Sequence, residues 1–313
     1  MGFNMFSEIN QVGITIRDVE ENLALYRDTL NLKIESDFEA SGSAWEKITG
    51  ISGVNFRRIT LQREEIDTGK IVLLKFLSPE SQPFPIDRKP YDLGLYDFGF
   101  ESSDIDKSYQ LITEKGYKFD STVQPVIVER NTVAREASIH APDGVHVMLA
   151  QTLYKPSETQ EEGHIISSEM DHVVLVVRDY ERSLRFYRDI LGLKPIIETV
   201  LEGEPTDLIT RVSHARLKVC LLAKEKVNAG KVEIIQYLSH KGKPLPKDTT
   251  LSDCGLRFIS FRVDDMDKAY NLLKGEGIEF ISEPVAVLMA DKKVKIVLAK
   301  DFDNVFIEFF QED

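Results

Sequence analysis

The chain repeats itself, and this repeat constrains its fold more than any other feature. The segment that starts at Ile9 reads INQVGITIRDVEENLALYRDTLNLK, and the segment that starts at Met170 reads MDHVVLVVRDYERSLRFYRDILGLK. Eleven of the 25 aligned positions are identical, at an offset of 161 residues. The same offset aligns KIVLLKFLS at 70–78 with KVEIIQYLS at 231–239. A chain of 313 residues therefore holds two copies of one fold.

The repeat predicts a first domain at 1–154, a polar linker at 155–167 and a second domain at 168–313. Each copy also divides in two. The second copy begins with the strand-like HVVLVV, the helix-like DYERSLRFYRDILG and several further strand-like runs. The order then restarts with LRFISFRV, DMDKAYNLLKGEG and more strands. We therefore predict an α+β fold of four βαβββ modules, paired within each copy because one module is too small to stand alone easily.

Composition excludes several classes of protein. The net charge of −13 disfavours binding to nucleic acid and to anionic membrane surfaces. Two cysteines, Cys220 and Cys254, do not form a disulfide framework, which favours a reducing compartment. No uncharged apolar run approaches the roughly 18 residues of a membrane helix, and the N-terminus does not resemble a signal peptide. The sequence predicts a cytoplasmic protein.

The order of a strand, a helix with the motif RDxxxSLxFYRDxLGL and three further strands resembles the vicinal oxygen chelate superfamily. That group includes glyoxalase I, methylmalonyl-CoA epimerase, extradiol dioxygenases, and bleomycin and fosfomycin resistance proteins. The stretch FYRDILGL at 186–193 is the most specific part of the resemblance. The resemblance implies that each tandem domain is a curved mixed sheet that encloses a cavity, with the helices outside. It also implies a divalent metal in the cavity, with ligands from the first and last strands of each module.

The ligand positions that the resemblance implies differ between the two copies. In the second copy they are His172, Glu233, Phe258 and Glu308. In the first copy they are Gln11, Val72, Asp97 and Met148. Three of the four residues in the second copy can bind a metal, whereas the first copy offers only weak ligands. We therefore expect one divalent metal on His172, Glu233 and Glu308, and none in the first domain.

The local sequence independently supports a partner for the two carboxylates. On a strand, Glu308 shares a face with Phe306 and Phe310. An unpaired carboxylate buried there would cost several kcal/mol, and Glu233 presents the same problem. One histidine and two carboxylates suit Mn, Fe(II), Co, Ni or Zn and leave coordination positions open. Taken singly, however, His172 is more typical of a packed or surface histidine than of a ligand.

The favoured function is a metal-dependent enzyme of the glyoxalase or epimerase type. Its small-molecule substrate would carry two neighbouring oxygens, and the metal would stabilise an enolate. Either Glu233 or Glu308 would move the α-proton, as the resemblance implies. Phe258, Tyr237 and Phe306 are expected to line an apolar substrate pocket.

Two alternatives remain open. The first is an extradiol-type dioxygenase, although Phe258 stands where those enzymes have a second histidine and Leu298 where they usually have a tyrosine. The second is a non-catalytic binding protein like the drug-resistance members. Neither nucleic acid nor a membrane is an expected partner, and the sequence leaves open a homodimer.

Overall fold

The computed structural model describes residues 5–312, except 64–65, 84–87, 129–130, 154–164, 226 and 228. Within this part, the chain forms seventeen strands and six α-helices. The first copy contains, in chain order, β1 (Phe6–Thr15), α1 (Val19–Tyr26), β2 (Lys33–Ser41), α2 (Ser43–Thr49), β3 (Asn55–Gln62), β4 (Lys70–Ser78), β5 (Gly94–Glu101), α3 (Ile105–Glu114), β6 (Gln124–Val128), β7 (Asn131–His140) and β8 (His146–Thr152). The second copy contains β9 (Met170–Val176), α4 (Tyr180–Arg185), β10 (Lys194–Glu202), α5 (Glu204–Thr210), β11 (Arg216–Ala223), β12 (Lys231–Tyr237), β13 (Gly255–Val263), α6 (Met266–Gly275), β14 (Glu279–Phe280), β15 (Val285–Met289), β16 (Lys292–Lys300) and β17 (Phe306–Glu312).

The repeated sequence motifs start the repeated helices. In α1, α3, α4 and α6, an aspartate precedes the helix and accepts the backbone N–H of the residue three positions later, which satisfies one free donor of the first turn. These caps are Asp18, Asp104, Asp179 and Asp265. The predicted helix over DYERSLRFYRDILG is confirmed, with its second half wound as a π-helical turn (Phe186–Ile190). Gly192, at φ 72°, permits the change of direction that follows.

The predicted α+β class and the two curved sheets are confirmed, but the predicted pairing of modules is wrong. Sheet 1 has nine strands in the order β14-β16-β17-β13-β1-β4-β3-β2, with β15 beside β16. Sheet 2 has eight strands in the order β10-β11-β12-β9-β5-β8-β7-β6. Sheet 1 therefore combines the first module (β1–β4) with the fourth (β13–β17). Sheet 2 combines the second module (β5–β8) with the third (β9–β12). Each sheet takes one module from each copy.

The first strand of each module pairs with the first strand of a module from the other copy. β1 pairs antiparallel with β13, and β5 pairs antiparallel with β9. Each first strand would otherwise leave an unpaired edge, so another module must cover it. All four first strands have a similar apolar pattern, and that pattern does not say which two will meet. The predicted linker at 155–167 falls mostly outside the described residues, which omit 154–164.

Candidate functional site

The structure divides the predicted metal ligands between the two sheets. His172 on β9 and Glu233 on β12 belong to sheet 2, where their strands are parallel neighbours. Glu308 on β17 belongs to sheet 1, opposite Ser260 of β13. The predicted set of three ligands is therefore not brought together, because the module that carries Glu308 pairs with the first module and not with the third.

Glu308 is held by an arginine instead. Its carboxylate accepts hydrogen bonds from Arg58 Nη1 and Nη2, both at 3.2 Å, and from Ser260 Oγ at 2.9 Å. Arg58 also donates to Gln11 Oε1 at 2.8 Å, and its guanidinium lies 5.6 Å from the ring centre of Phe258. Glu308 is 5% exposed and Arg58 is 2% exposed. The buried carboxylate thus has the partner that its sequence context requires, but the partner is a guanidinium.

The remainder of this face of sheet 1 is an apolar core. Helix α2 contributes Trp45 and Ile48, which pack with buried side chains of β3, β4, β16 and β17. Phe258 and Phe306, predicted to line a substrate pocket, belong to this core and are buried. Tyr237, the third residue of that prediction, lies on β12 in sheet 2. The predicted substrate-binding set is therefore also divided between the sheets.

The corresponding face of sheet 2 encloses a small cavity of about 80 Å³ with both apolar and charged lining residues. Apolar side chains from β6, β10 and β11 form part of its wall. Helix α5 lies against β6, β7 and β10 near the cavity. The charged and titratable residues of the lining are Glu101, Glu136, Asp171, His172, Lys231 and Glu233. Acidic groups outnumber basic ones in this lining.

Three carboxylates in and beside this cavity are hard to ionise. Burial raises the pKa of Asp97 to about 7, with His172 opposing the shift and Glu233 adding to it. Burial and the charge of Glu233 raise the pKa of Glu136 to about 8. Burial also raises the pKa of Glu233. Asp97 is 2% exposed, and its Oδ1 atom is buried with no hydrogen-bond partner. Crowded carboxylates of this kind are stabilised by a bound cation or by a proton.

His172 is held in a fixed orientation. Its Nδ1 atom lies 3.1 Å from Asp171 Oδ2, and Asp171 is also paired with Lys231. Burial alone would lower the pKa of His172, but the bond to Asp171 and the nearby carboxylates raise it to about 9. The ring lies over Gly99, where a Cβ atom would approach His172 Cε1 to 2.5 Å. A carboxylate on one ring nitrogen that leaves the other free is the usual support of a metal-binding histidine.

A second group of ligand types lies near the same sheet. Ligand atoms of Asp120, His140 and His146 all lie within 4.8 Å of one another, so this group could hold a metal ion. Those of Asp97, His172 and Glu233 do not meet that spacing. Asp120, however, already binds His146 Nδ1 at 2.7 Å and Arg211 Nη1 at 2.9 Å. The Arg211 guanidinium therefore already neutralises the Asp120 carboxylate. We interpret this group as a structural contact between the end of α5 and the second module.

Sequence reasoning missed Arg58 and undervalued Asp97. Arg58 lies 250 residues from Glu308 in the chain, and nothing in NFRRITLQ distinguishes it from a solvated arginine. The sequence predicts Asp97 in the cavity of the first copy, but its strand β5 pairs with β9 and places it with His172 and Glu233. The sequence feature that points to Asp97 is a carboxylate at a ligand position that the family resemblance implies.

Comparison with known proteins agrees with this architecture. The family model "Glyoxalase/Bleomycin resistance protein/Dioxygenase superfamily" matches residues 8–149 and again residues 169–309. The chain belongs to this superfamily, and the recognition made from the sequence is confirmed.

Among the similar proteins are a lyase and a protein described as a putative dioxygenase. Over 147 residues the chain is 25% identical to the lactoylglutathione lyase of Schizosaccharomyces pombe, a match that spans 46% of this chain and 47% of that protein. Glyoxalase I from Zea mays has the same fold, with a TM-score of 0.66, 16% identity and coverage of 97% of this chain and 92% of that one. A putative dioxygenase from Bacillus subtilis aligns with a TM-score of 0.61, 10% identity and coverage of 98% and 86%. In the described part of this chain, no helix combines the length and apolar character needed to span a membrane.

Proposed function

We propose that the chain is a metal-dependent enzyme of this superfamily with one catalytic centre, in the cavity of sheet 2. The observation that carries the proposal is the cluster of Asp97, Glu136 and Glu233 around His172, in which the pKa of each of these three carboxylates is raised. Among the described residues of the lining, one basic side chain besides His172 is present, that of Lys231, and it is already paired with Asp171. The cavity therefore has a net demand for positive charge.

The ligands that we assign to a divalent metal are Asp97, His172 and Glu233. Grouped by sheet, the ligand positions implied by the family resemblance are these three residues and Met148 in sheet 2. The buried Oδ1 of Asp97, which lacks a partner, supports its inclusion. Imidazole and carboxylate donors suit Fe(II), Mn, Co, Ni or Zn, and a thioether is a poor fourth ligand for them. The ligand atoms must move closer together when an ion binds.

Glu136 is the residue that we assign to proton transfer. A bound metal would polarise a substrate carbonyl and stabilise the negative charge of an enolate. Glu136 lines the cavity but is not at a ligand position, and its pKa of about 8 is close to a working pH. The cavity is small, at about 80 Å³. The reacting end of the substrate is therefore small, such as two neighbouring oxygen-bearing carbons.

The same cavity favours proton transfer over ring cleavage. An extradiol-type site would need a second histidine, and Asp97 stands near His172 where a second ligand from β5 would be. His172 is the one histidine that lines the cavity, as far as the described residues extend. The likeness to the dioxygenase supports the fold alone.

The test combines metal content with two activities. Purified protein is loaded with Mn, Fe(II), Co, Ni or Zn, and bound metal is measured by elemental analysis. Exchange of the α-proton of a small α-hydroxycarbonyl compound is followed in D₂O, together with turnover of lactoylglutathione. We expect one metal per chain and exchange with at least one metal. Oxygen uptake with a catechol and no exchange would instead favour the dioxygenase.

Two variants locate the site. His172→Ala should lose both the metal and the exchange activity. Glu308→Gln is the matched control, because it removes a buried carboxylate from sheet 1; assayed at a temperature where it is still folded, it should keep both. If His172→Ala keeps its metal while Glu308→Gln loses it, the catalytic centre is not in sheet 2.

A further inference from the structure

A second pocket, of about 390 Å³, lies outside the cavity of sheet 2. It is beside the first residues of β5 and β13, where Leu93 and Arg257 line it. In the described part of the chain, the two pockets share no lining residue. One wall is made by neighbouring backbone segments, because Leu93 N–H donates to the Lys243 carbonyl at 2.9 Å and Lys243 N–H donates to Asp92 Oδ1 at 2.7 Å. Three basic side chains line the pocket, those of Arg88, Lys243 and Arg257.

Arg257 is the unusual member of this group. The pairing of β13 with β1 steps from Phe258↔Gly13 to Leu256↔Ile14, so Arg257 sits in a bulge. It is 8% exposed. Within the described residues its side chain has neither a hydrogen-bond acceptor nor an ion-pair partner, and its Nε is buried. Burial and the positive charge of Arg88 lower its pKa to about 10. A buried guanidinium without a counter-charge is strongly destabilising.

The carboxylates that the structure describes around the pocket do not supply that counter-charge. Asp92 accepts the backbone N–H groups of Lys89 and Lys243. Asp253 accepts the backbone N–H of Thr250 at 2.8 Å. Asp248 is the third acid of the lining. None of the three forms an ion pair with Arg257, although Asp253 is near enough to favour its charged form.

We propose that this pocket binds a small oxyanion, a phosphate or a carboxylate, through Arg257. A planar guanidinium presents two parallel donors that match two oxygens of either group. Arg88, whose Nη2 donates to the Leu95 carbonyl at 2.6 Å, adds a second positive charge beside the site. The bound anion supplies the counter-charge that the described residues do not give Arg257.

The experiment measures anion binding by the full-length chain. Inorganic phosphate and, separately, acetate are titrated calorimetrically and in thermal melts, against chloride at equal ionic strength. We expect phosphate, acetate or both to bind at one site per chain and to raise the melting temperature above the chloride control. Binding of one and not the other assigns the anion class. If neither anion does more than chloride, the proposal is wrong.

Variants of two residues on β13 distinguish anion binding in this pocket from anion binding elsewhere, including binding to a metal in sheet 2. Arg257→Met should raise the anion Kd at least tenfold and, without anion, be no less stable than the wild type. Arg257→Lys keeps the charge but loses the paired donors, so its Kd should rise several-fold. The control is Arg262→Met, on the same strand, where Arg262 is exposed and pairs with Asp67. Unchanged affinity in Arg257→Met, or marked destabilisation of that variant without anion, would show that Arg257 has another role.

Discussion

The ion pair between Arg58 and Glu308 gives the sharpest test of how the two sheets differ. If Glu308 were a metal ligand, Glu308→Gln would lose metal and, without metal, gain stability. The structure predicts the reverse. The substitution keeps the shape of the side chain but leaves the Arg58 guanidinium buried without a counter-charge, with side-chain exposures of 2% for Arg58 and 7% for Glu308.

The expected loss is about 3–5 kcal/mol, which is typical when one partner of a buried ion pair is removed. That is a large fraction of the roughly 5–15 kcal/mol that stabilises most proteins. Arg58→Met should cost about as much, because it leaves the carboxylate with Ser260 as its hydrogen-bond donor. The double variant Arg58→Met with Glu308→Leu should recover most of the loss, because it removes both charges from an apolar face.

Trp45 provides the assay. It is the single tryptophan of the chain and packs on the same face of sheet 1, so its fluorescence during urea unfolding reports that sheet. Glu312→Gln is the matched control on the same strand, where Glu312 forms an exposed ion pair with Lys292, and it should change stability by less than about 0.5 kcal/mol. If Glu308→Gln unfolds at the same urea concentration as wild type, or loses bound metal while it is still folded, the structural role of Glu308 is refuted.

The remaining predictions concern sheet 2 and one buried turn. Asp97→Asn and His172→Ala should each reduce bound metal at least tenfold by elemental analysis, and full occupancy in either would remove that residue from the site. Glu136→Gln should keep its metal but lose about 10²–10⁴-fold in turnover, since it removes the proposed proton carrier; unchanged turnover would exclude that role. Gly99→Ala should also lose metal, because its Cβ would lie 2.5 Å from His172 Cε1, and a fully loaded variant would contradict this. Burial raises the pKa of Asp301 from 3.8 to about 7, so the folded state holds that proton more tightly and this contribution to stability is lost as pH rises from about 4 to about 7. Asp301→Asn does not titrate, so its free energy of unfolding in urea should rise relative to that of the wild type between about pH 4 and about pH 7. A constant difference between the two proteins across this range would refute the prediction.

Local sequence determined the modules and the helices. The repeat at an offset of 161 residues is read directly from aligned letters, and the aspartates that precede four helices cap them as the repeated motifs require. The sequence also proposes His172 and Glu233 as ligands, and both line one cavity because their strands are neighbours within a single module. Such contacts need only strand periodicity and short connections, which a sequence contains.

Only the tertiary structure decided which modules share a sheet. The pairings of β1 with β13 and of β5 with β9 join segments far apart in the chain. Four similar first strands offer several ways to cover their edges, and the outcome depends on the packing of whole sheets and the path of the connections between them. That choice gave Glu308 an arginine 250 residues away and brought Asp97 to His172. Strand periodicity fixes the face on which a side chain lies, whereas the groups that it meets there depend on which distant strands become its neighbours.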